Sequence, residues 1–158
     1  MKKFILPLIL LLGLTLRFIA INQSLWLDEA IGALVVKSQN YLQILREFSL
    51  HDNHPPLYYL SLKLWSDIFG YSEVAFRSLS VLFGVLTIFF VYKIGKLISP
   101  RLGILATLLL ATSPFAIYYS QEARMYAMAA FLAAVAFYFF LQKKSLRRRA
   151  PPCPRSGR

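Results

Sequence analysis

A chain of 158 residues that is 58% hydrophobic, only 16% charged and carries a formal net charge of +11 does not read as an ordinary soluble domain, which is about 45–50% apolar and about 25% charged. The mean hydropathy of +0.56 agrees. Cys153 is the only cysteine, which excludes a disulfide scaffold, and so apolar a composition excludes disorder over most of the length. The remaining class is a membrane protein. Residues 143–158 hold seven of the 18 Lys/Arg and no acid, which leaves +4 for residues 1–142. A basic run next to a membrane span marks the cytoplasmic side, so the charge does not argue for nucleic acid.

In chain order, four segments are apolar over the roughly 17–25 residues that a spanning helix needs: 4–21, 74–92, 102–119 and 125–141. The first begins after Met1-Lys2-Lys3 and resembles a secretory signal. No small-x-small cleavage site is present, however, and the apolar stretch resumes after Arg17, so it is read as an uncleaved anchor. With the N-terminus inside, 12 Lys/Arg fall inside, four outside (Lys37, Arg46, Lys63, Arg124) and two within spans (Arg17, Arg77), as the positive-inside rule requires. Reading Leu57 to Phe69 as a fifth span is rejected. It has 13 residues, contains Lys63 and Asp67, and would move Lys93, Lys96 and Arg101 outside.

Residues 22–73 form the first outer loop. They are too long for a structureless connection and read as amphipathic juxtamembrane helices. Asp28 and Glu29 open a helical run through Val36, since acids suit a helix N-terminus. Asn40 caps a second run with Tyr41, Ile44, Leu45 and Phe48 on one face. After the turn-rich His51-Asp52-Asn53-His54-Pro55-Pro56, a third run from Leu57 to Phe69 carries Tyr59, Lys63, Ser66 and Asp67 on one stripe and Leu57, Leu60, Leu64 and Ile68 on the other, and Gly70 ends it. The loop carries six of the seven acids in the chain.

Several residues there could carry chemistry. The Asp28-Glu29 pair could act as a general base, hold a divalent cation through oxygen ligands, or only stabilise a helix N-terminus. Arg77, a turn into the second span, could face a bundle interior and bind phosphate or snorkel to the surface. Glu122 and Arg124 occupy the outer turn between the third and fourth spans and could be solvated turn residues. Topology puts Asp28, His54, Arg77, Glu122 and Arg124 on the same outer side, where acids and arginines together suit a phosphate-bearing lipid. His51 and His54 with Asp52 could ligate a metal, but two histidines on a loop are a weak metal signature. There is neither a Walker loop nor a dinucleotide fingerprint, and Cys153 has no assigned role.

Taken together, Leu16-Arg17-Phe18, Leu25-Trp26-Leu27-Asp28-Glu29-Ala30, His54-Pro55-Pro56-Leu57-Tyr58-Tyr59, Phe69-Gly70, Glu73-Val74-Ala75-Phe76-Arg77-Ser78-Leu79-Ser80, Ser113-Pro114-Phe115 and Tyr118-Tyr119-Ser120-Gln121-Glu122-Ala123-Arg124-Met125-Tyr126 resemble the N-terminal part of the GT-C glycosyltransferases. The resemblance is to the class of the dolichyl-phosphate-mannose–protein mannosyltransferases, glycosyltransferase family 39 and its bacterial relatives. The resemblance runs from about residue 4 to residue 141. It implies a polytopic membrane enzyme that takes a sugar from a polyprenyl-phosphate carrier on the outer face and transfers it with inversion to an acceptor on a glycan, lipid or protein. Carried onto this chain, it implies Asp28 as catalytic base, Glu29 as its supporting acid and Glu122 as a second acid. Arg77 and Arg124 then bind the lipid phosphate, and His54 shapes the site. It names no particular cofactor, leaves room for a divalent cation, and has membrane lipid but no nucleic acid as a partner.

The expectation is therefore an all-α membrane protein with four spans. Residues 1–142 form the N-terminal part of a glycosyltransferase domain in a bacterial plasma membrane, with the N-terminus cytoplasmic and the active side periplasmic or extracellular. Residues 143–158 read as a disordered Arg/Pro-rich tail whose abrupt change of composition suggests a frame-shifted, truncated copy. The rival reading is a non-catalytic four-span protein that binds lipid or a partner.

Overall fold

The computed structural model describes residues 2–48 and 56–149. Among the described residues the chain is helical with no strand. The helices are α1 (Lys2–Phe18), α2 (Leu27–Ser38), α3 (Tyr41–Gln43, continuing as a π-helix Ile44–Phe48), α4 (Pro56–Phe69), α5 (Glu73–Ile98), α6 (Pro100–Thr112), α7 (Pro114–Ser120) and α8 (Tyr126–Arg149). This is an all-α membrane protein. Helix α5, with 26 residues, is about 39 Å long and exceeds the roughly 30 Å hydrocarbon core. The apolar part of α8, Tyr126–Lys144, is also long enough to cross.

The other two expected spans differ from a plain helix. Helices α6 and α7 meet at a 61° bend. The expectation of one continuous span over 102–119 gives way to a broken one because Pro114 has no N–H to continue the ladder. Ser113 instead caps α7, its Oγ accepting from Ala116 N at 3.4 Å. The first span, expected over 4–21, stops at Phe18, leaving an apolar helix of Phe4–Phe18. There Ala20 takes φ 60°, a left-handed conformation that costs a non-glycine residue about 1–2 kcal/mol. At the other end of the chain α8 continues through Arg149, so residues 143–149, expected as part of a disordered tail, are helical.

Helix α5 is the centre of the bundle and packs against α1, α4, α6, α7 and α8. Its turn into α6 is tight. A Cβ on Gly95 would lie 2.7 Å from Gly103 Cα, so only glycine lets these two backbones cross. Ser99 caps α6 through Leu102 N at 3.1 Å, and Pro100 fills its first turn.

The expected juxtamembrane helices form. Asn40 and Gln43 make a reciprocal capping box, Gln43 N to Asn40 Oδ1 and Asn40 N to Gln43 Oε1, both at 2.9 Å. Gly70, at φ 92°, ends α4. Helix α2, the π-helix and α4 bury Val36, Ile44, Tyr58 and Leu62 against Phe76 and Leu79 of α5 and Met128 of α8. Three of the four residues of the apolar stripe of α4, Leu57, Leu64 and Ile68, stay exposed, while Leu60 packs against this core and Tyr59 and Ser66 are buried. That orientation suits a helix lying in the plane of the lipid interface.

Candidate active site

The end of the bundle where α1 stops and α2 begins holds two ion pairs. Asp28 and Glu29 occupy the first turn of α2, where the N-terminal partial charge favours carboxylates. They diverge to different arginines.

Glu29 points inward and its side chain is fully buried. Its Oε2 accepts from Arg77 Nη2 at 2.5 Å, and its Oε1 accepts from Arg77 Nε at 3.0 Å and from Ala123 N at 2.6 Å. The remaining guanidinium hydrogens reach backbone oxygens: Nη1 donates to Ile21 O at 3.0 Å and Gln23 O at 2.5 Å, and Nη2 to Ser24 O at 3.2 Å. All five N–H groups of Arg77 are thereby engaged. Arg77, expected to bind phosphate, faces the bundle interior and has no donor left over. Glu29 likewise serves as a clamp joining α2, α5 and the 121–125 turn.

Asp28 faces out, with its side chain 52% exposed, and its Oδ2 lies 2.6 Å from Arg124 Nη1. Arg124 also donates from Nη2 to Tyr126 Oη at 3.4 Å and lies over the Tyr126 ring at 5.5 Å. A half-exposed carboxylate beside a guanidinium whose side chain is 15% exposed is an arrangement able to take a proton and meet an anion. The two carboxylates do not converge on one point, and among the described residues no group of three or more metal-ligating side chains forms.

Glu122 is buried, faces the Tyr118 hydroxyl and lines a cavity of about 250 Å³ with Trp26, Glu29 and Arg77. Thus Asp28, Glu29, Arg77, Glu122 and Arg124, expected on one side of the membrane, lie at one end of the bundle. His54 and the His51-Asp52 pair fall outside the described residues.

Two tethers at this end were not anticipated. Gln121 Nε2 donates to Ile19 O at 2.6 Å, tying the turn to the end of α1. Arg17, 1% exposed, donates from Nη2 to Leu110 O at 3.4 Å, from Nη1 to Ala111 O at 3.2 Å and Gly13 O at 3.0 Å, and from Nε to Ser120 Oγ at 3.1 Å. Leu110 O is the carbonyl that Pro114, four residues on, cannot satisfy, so Arg17 closes the ladder that the proline opens. A Cβ on Gly84 would collide with Ser120 and approach Arg17 Nε to 3.0 Å. Proline in one apolar run and arginine in another were the sequence signals for this pairing. Beside it lies a mostly apolar cavity of about 490 Å³ lined by Thr87, Phe115, Tyr119 and Tyr126.

A further cluster sits on α4. Asp67 accepts from Tyr41 Oη at 2.6 Å, from the Tyr71 hydroxyl and, as an ion pair, from Lys63 Nζ at 3.2 Å. The Tyr41 hydrogen bond, then that of Tyr71, holds the Asp67 carboxyl down at about 2. Burial pushes the Tyr58 phenol well above its ordinary value, so it stays neutral beneath the site.

The model of the family described as dolichyl-phosphate-mannose-protein mannosyltransferase matches residues 53–149. The matched stretch carries His54, Arg77, Glu122 and Arg124, while Asp28 and Glu29 precede it and join it through their two arginines. No curated protein and no solved structure matches the chain. With more than half of its length matched and an all-α membrane bundle around the matched residues, the chain belongs to the dolichyl-phosphate-mannose-protein mannosyltransferase family of membrane glycosyltransferases.

Proposed function

We propose that this end of the bundle transfers a glycosyl group from a polyprenyl-phosphate-linked sugar to an acceptor hydroxyl or amine, on the outer face of a bacterial plasma membrane with the N-terminus cytoplasmic. The observation that carries the reading is the half-exposed Asp28 carboxylate held 2.6 Å from Arg124, next to a second acid–arginine pair that is wholly buried.

The chemistry follows from that asymmetry. Asp28 takes the proton from the acceptor as its oxygen or nitrogen attacks the anomeric carbon. The bond from that carbon to the phosphate oxygen breaks on the opposite face, which inverts the configuration. The electron pair stays on the phosphate, and Arg124 meets the charge that develops there. The phosphate then competes with Asp28 for Arg124, so donor binding frees the base. Glu29 and Arg77 act by position: they fix the first turn of α2 against α5 and the 121–125 turn.

The test is transfer from a lipid-linked donor in reconstituted membranes. Asp28→Asn is expected to lower kcat by about 10²–10⁴-fold without weakening donor binding, and Arg124→Ala to raise KM for the donor and lower kcat. Undiminished transfer by both variants would remove the assignment.

A further inference from the structure

The cavity of about 250 Å³ at the site has an unusual charge arrangement. Among the residues that line it are Glu29, Arg77, Glu122, Trp26, Tyr118 and Gln23. Glu29 and Arg77 cancel, and their hydrogen-bonding groups are spent on one another and on backbone. Glu122 is more than nine-tenths buried and, among the described residues, makes no ion pair within 4 Å. The cavity thus offers a phosphate no unspent cationic donor. Arg124, the cation paired with Asp28, does not line it.

The apolar part of the lining is aromatic and open. Trp26 is 54% exposed and Tyr118 52%. An aromatic face bears partial negative charge and meets the weakly positive C–H groups of a ring. A carboxylate accepts hydrogen bonds from two neighbouring hydroxyls. A neutral, hydroxyl-bearing ring satisfies both surfaces at once; an anion or a hydrocarbon satisfies only one or neither.

We propose that this cavity is a pyranosyl subsite, in which Trp26 stacks on the C–H face of the ring and Glu122 accepts its hydroxyls. The assignment rests on the glycosyl-transfer reading and divides its labour: the sugar ring goes to the Trp26–Glu122 side and the phosphate to Arg124. Trp26 stands two residues before Asp28 and Glu29 directly after it, which puts the subsite at the same end of α2 as the base.

Trp26 and Trp65 are the two tryptophans, and Trp65 is held elsewhere, its Nε1 donating to Ser78 Oγ at 2.9 Å. In Trp65→Phe protein the fluorescence of Trp26 alone reports the subsite. It is titrated with methyl α-mannopyranoside, farnesyl phosphate and farnesyl phosphomannose. The pyranoside and the phosphomannose are expected to change the emission and farnesyl phosphate is not. Glu122→Gln is expected to weaken pyranoside binding about tenfold. A response to the phosphomannose alone assigns the subsite to the donor sugar, and a response to both sugar ligands admits an acceptor sugar as well. An equal response to farnesyl phosphate, or no response to any of the three, overturns the proposal. The difference in emission between the wild-type protein and Trp26→Phe gives the same reading if Trp65→Phe does not fold. Sugar binding without any transfer would sink the catalytic assignment and leave this one standing. Transfer with a silent Trp26 would do the reverse.

Discussion

Asp28 and Glu29 leave the same turn of α2 towards two different arginines, and the distance between them is that between scaffold and chemistry. The Glu29 side chain is 0% exposed and that of Arg77 7%, against 52% for Asp28 and 15% for Arg124. A buried pair is costly to assemble and, once assembled, costly to break, because removing one partner strands the other charge away from water. An exposed pair is worth about 0–1 kcal/mol and can be parted by a substrate. Adjacent carboxylates of the same chemistry thus divide into one that cannot move without unfolding its surroundings and one that is free to exchange partners.

The contrast is sharpest in stability. Glu29→Ala is expected to lower the unfolding free energy by about 3–5 kcal/mol, read as a large fall in the thermal midpoint in detergent. A loss equal to that of Asp28→Ala would erase the distinction. Arg77→Lys keeps the charge but loses the planar fork that serves one carboxylate and three carbonyls at once. Its expected cost is about 2 kcal/mol, and a neutral result would mean that the carbonyl contacts contribute nothing. Asp28→Ala is expected to cost less than about 1 kcal/mol and to lose even that at high salt, measured as the midpoint with and without added salt.

The smallest effect belongs to the exposed cluster on α4. Asp67 has its folded value depressed to about 2, so its contribution is present above the unfolded carboxylate value near 4. It is lost as pH falls through about 2. Tyr41→Phe removes the hydrogen bond that depresses it most, and the acid end of that window should move upward when the carboxyl is followed by NMR in detergent.

Much of the fold was legible in the chain. Asn40 before a helical run, Gly70 after one and the acids opening α2 all act locally, and local signals survive folding. The convergence of Asp28, Glu29, Arg77, Glu122 and Arg124 followed from the alternation of spans, because topology brings ends together. Which acid meets which arginine did not follow. It depends on the rotation of α2 about its axis, which turns Ala33 and Val36 into the core shared with Ile44 and α4, and neighbouring residues on a helix point about 100° apart. The bend at Pro114 was present in the sequence as a proline within an apolar run. Reading that run as one helix gave hydropathy more weight than the missing N–H. Arg17 was visible as an intruder in a span, but the carbonyls that accept its hydrogens lie 93 and 94 residues away, beyond any periodicity.

That separation bears on the order in which the protein is built. Helix α1 leaves the ribosome carrying a guanidinium whose oxygen partners on α6 do not yet exist. Arg17 lies in the last turn of α1, where an arginine costs an inserting helix less than the about 2.5–3.5 kcal/mol of a central one, but it still needs acceptors, and α1 has only the carbonyl of Gly13 to offer from its own backbone. Until residues 110–120 emerge, α1 is a reluctant occupant of lipid. When they do, the bend that spoils α6–α7 as a straight span is the feature that completes α1. Each of the two segments is a poor membrane helix by itself, and the defect of one is remedied by the defect of the other.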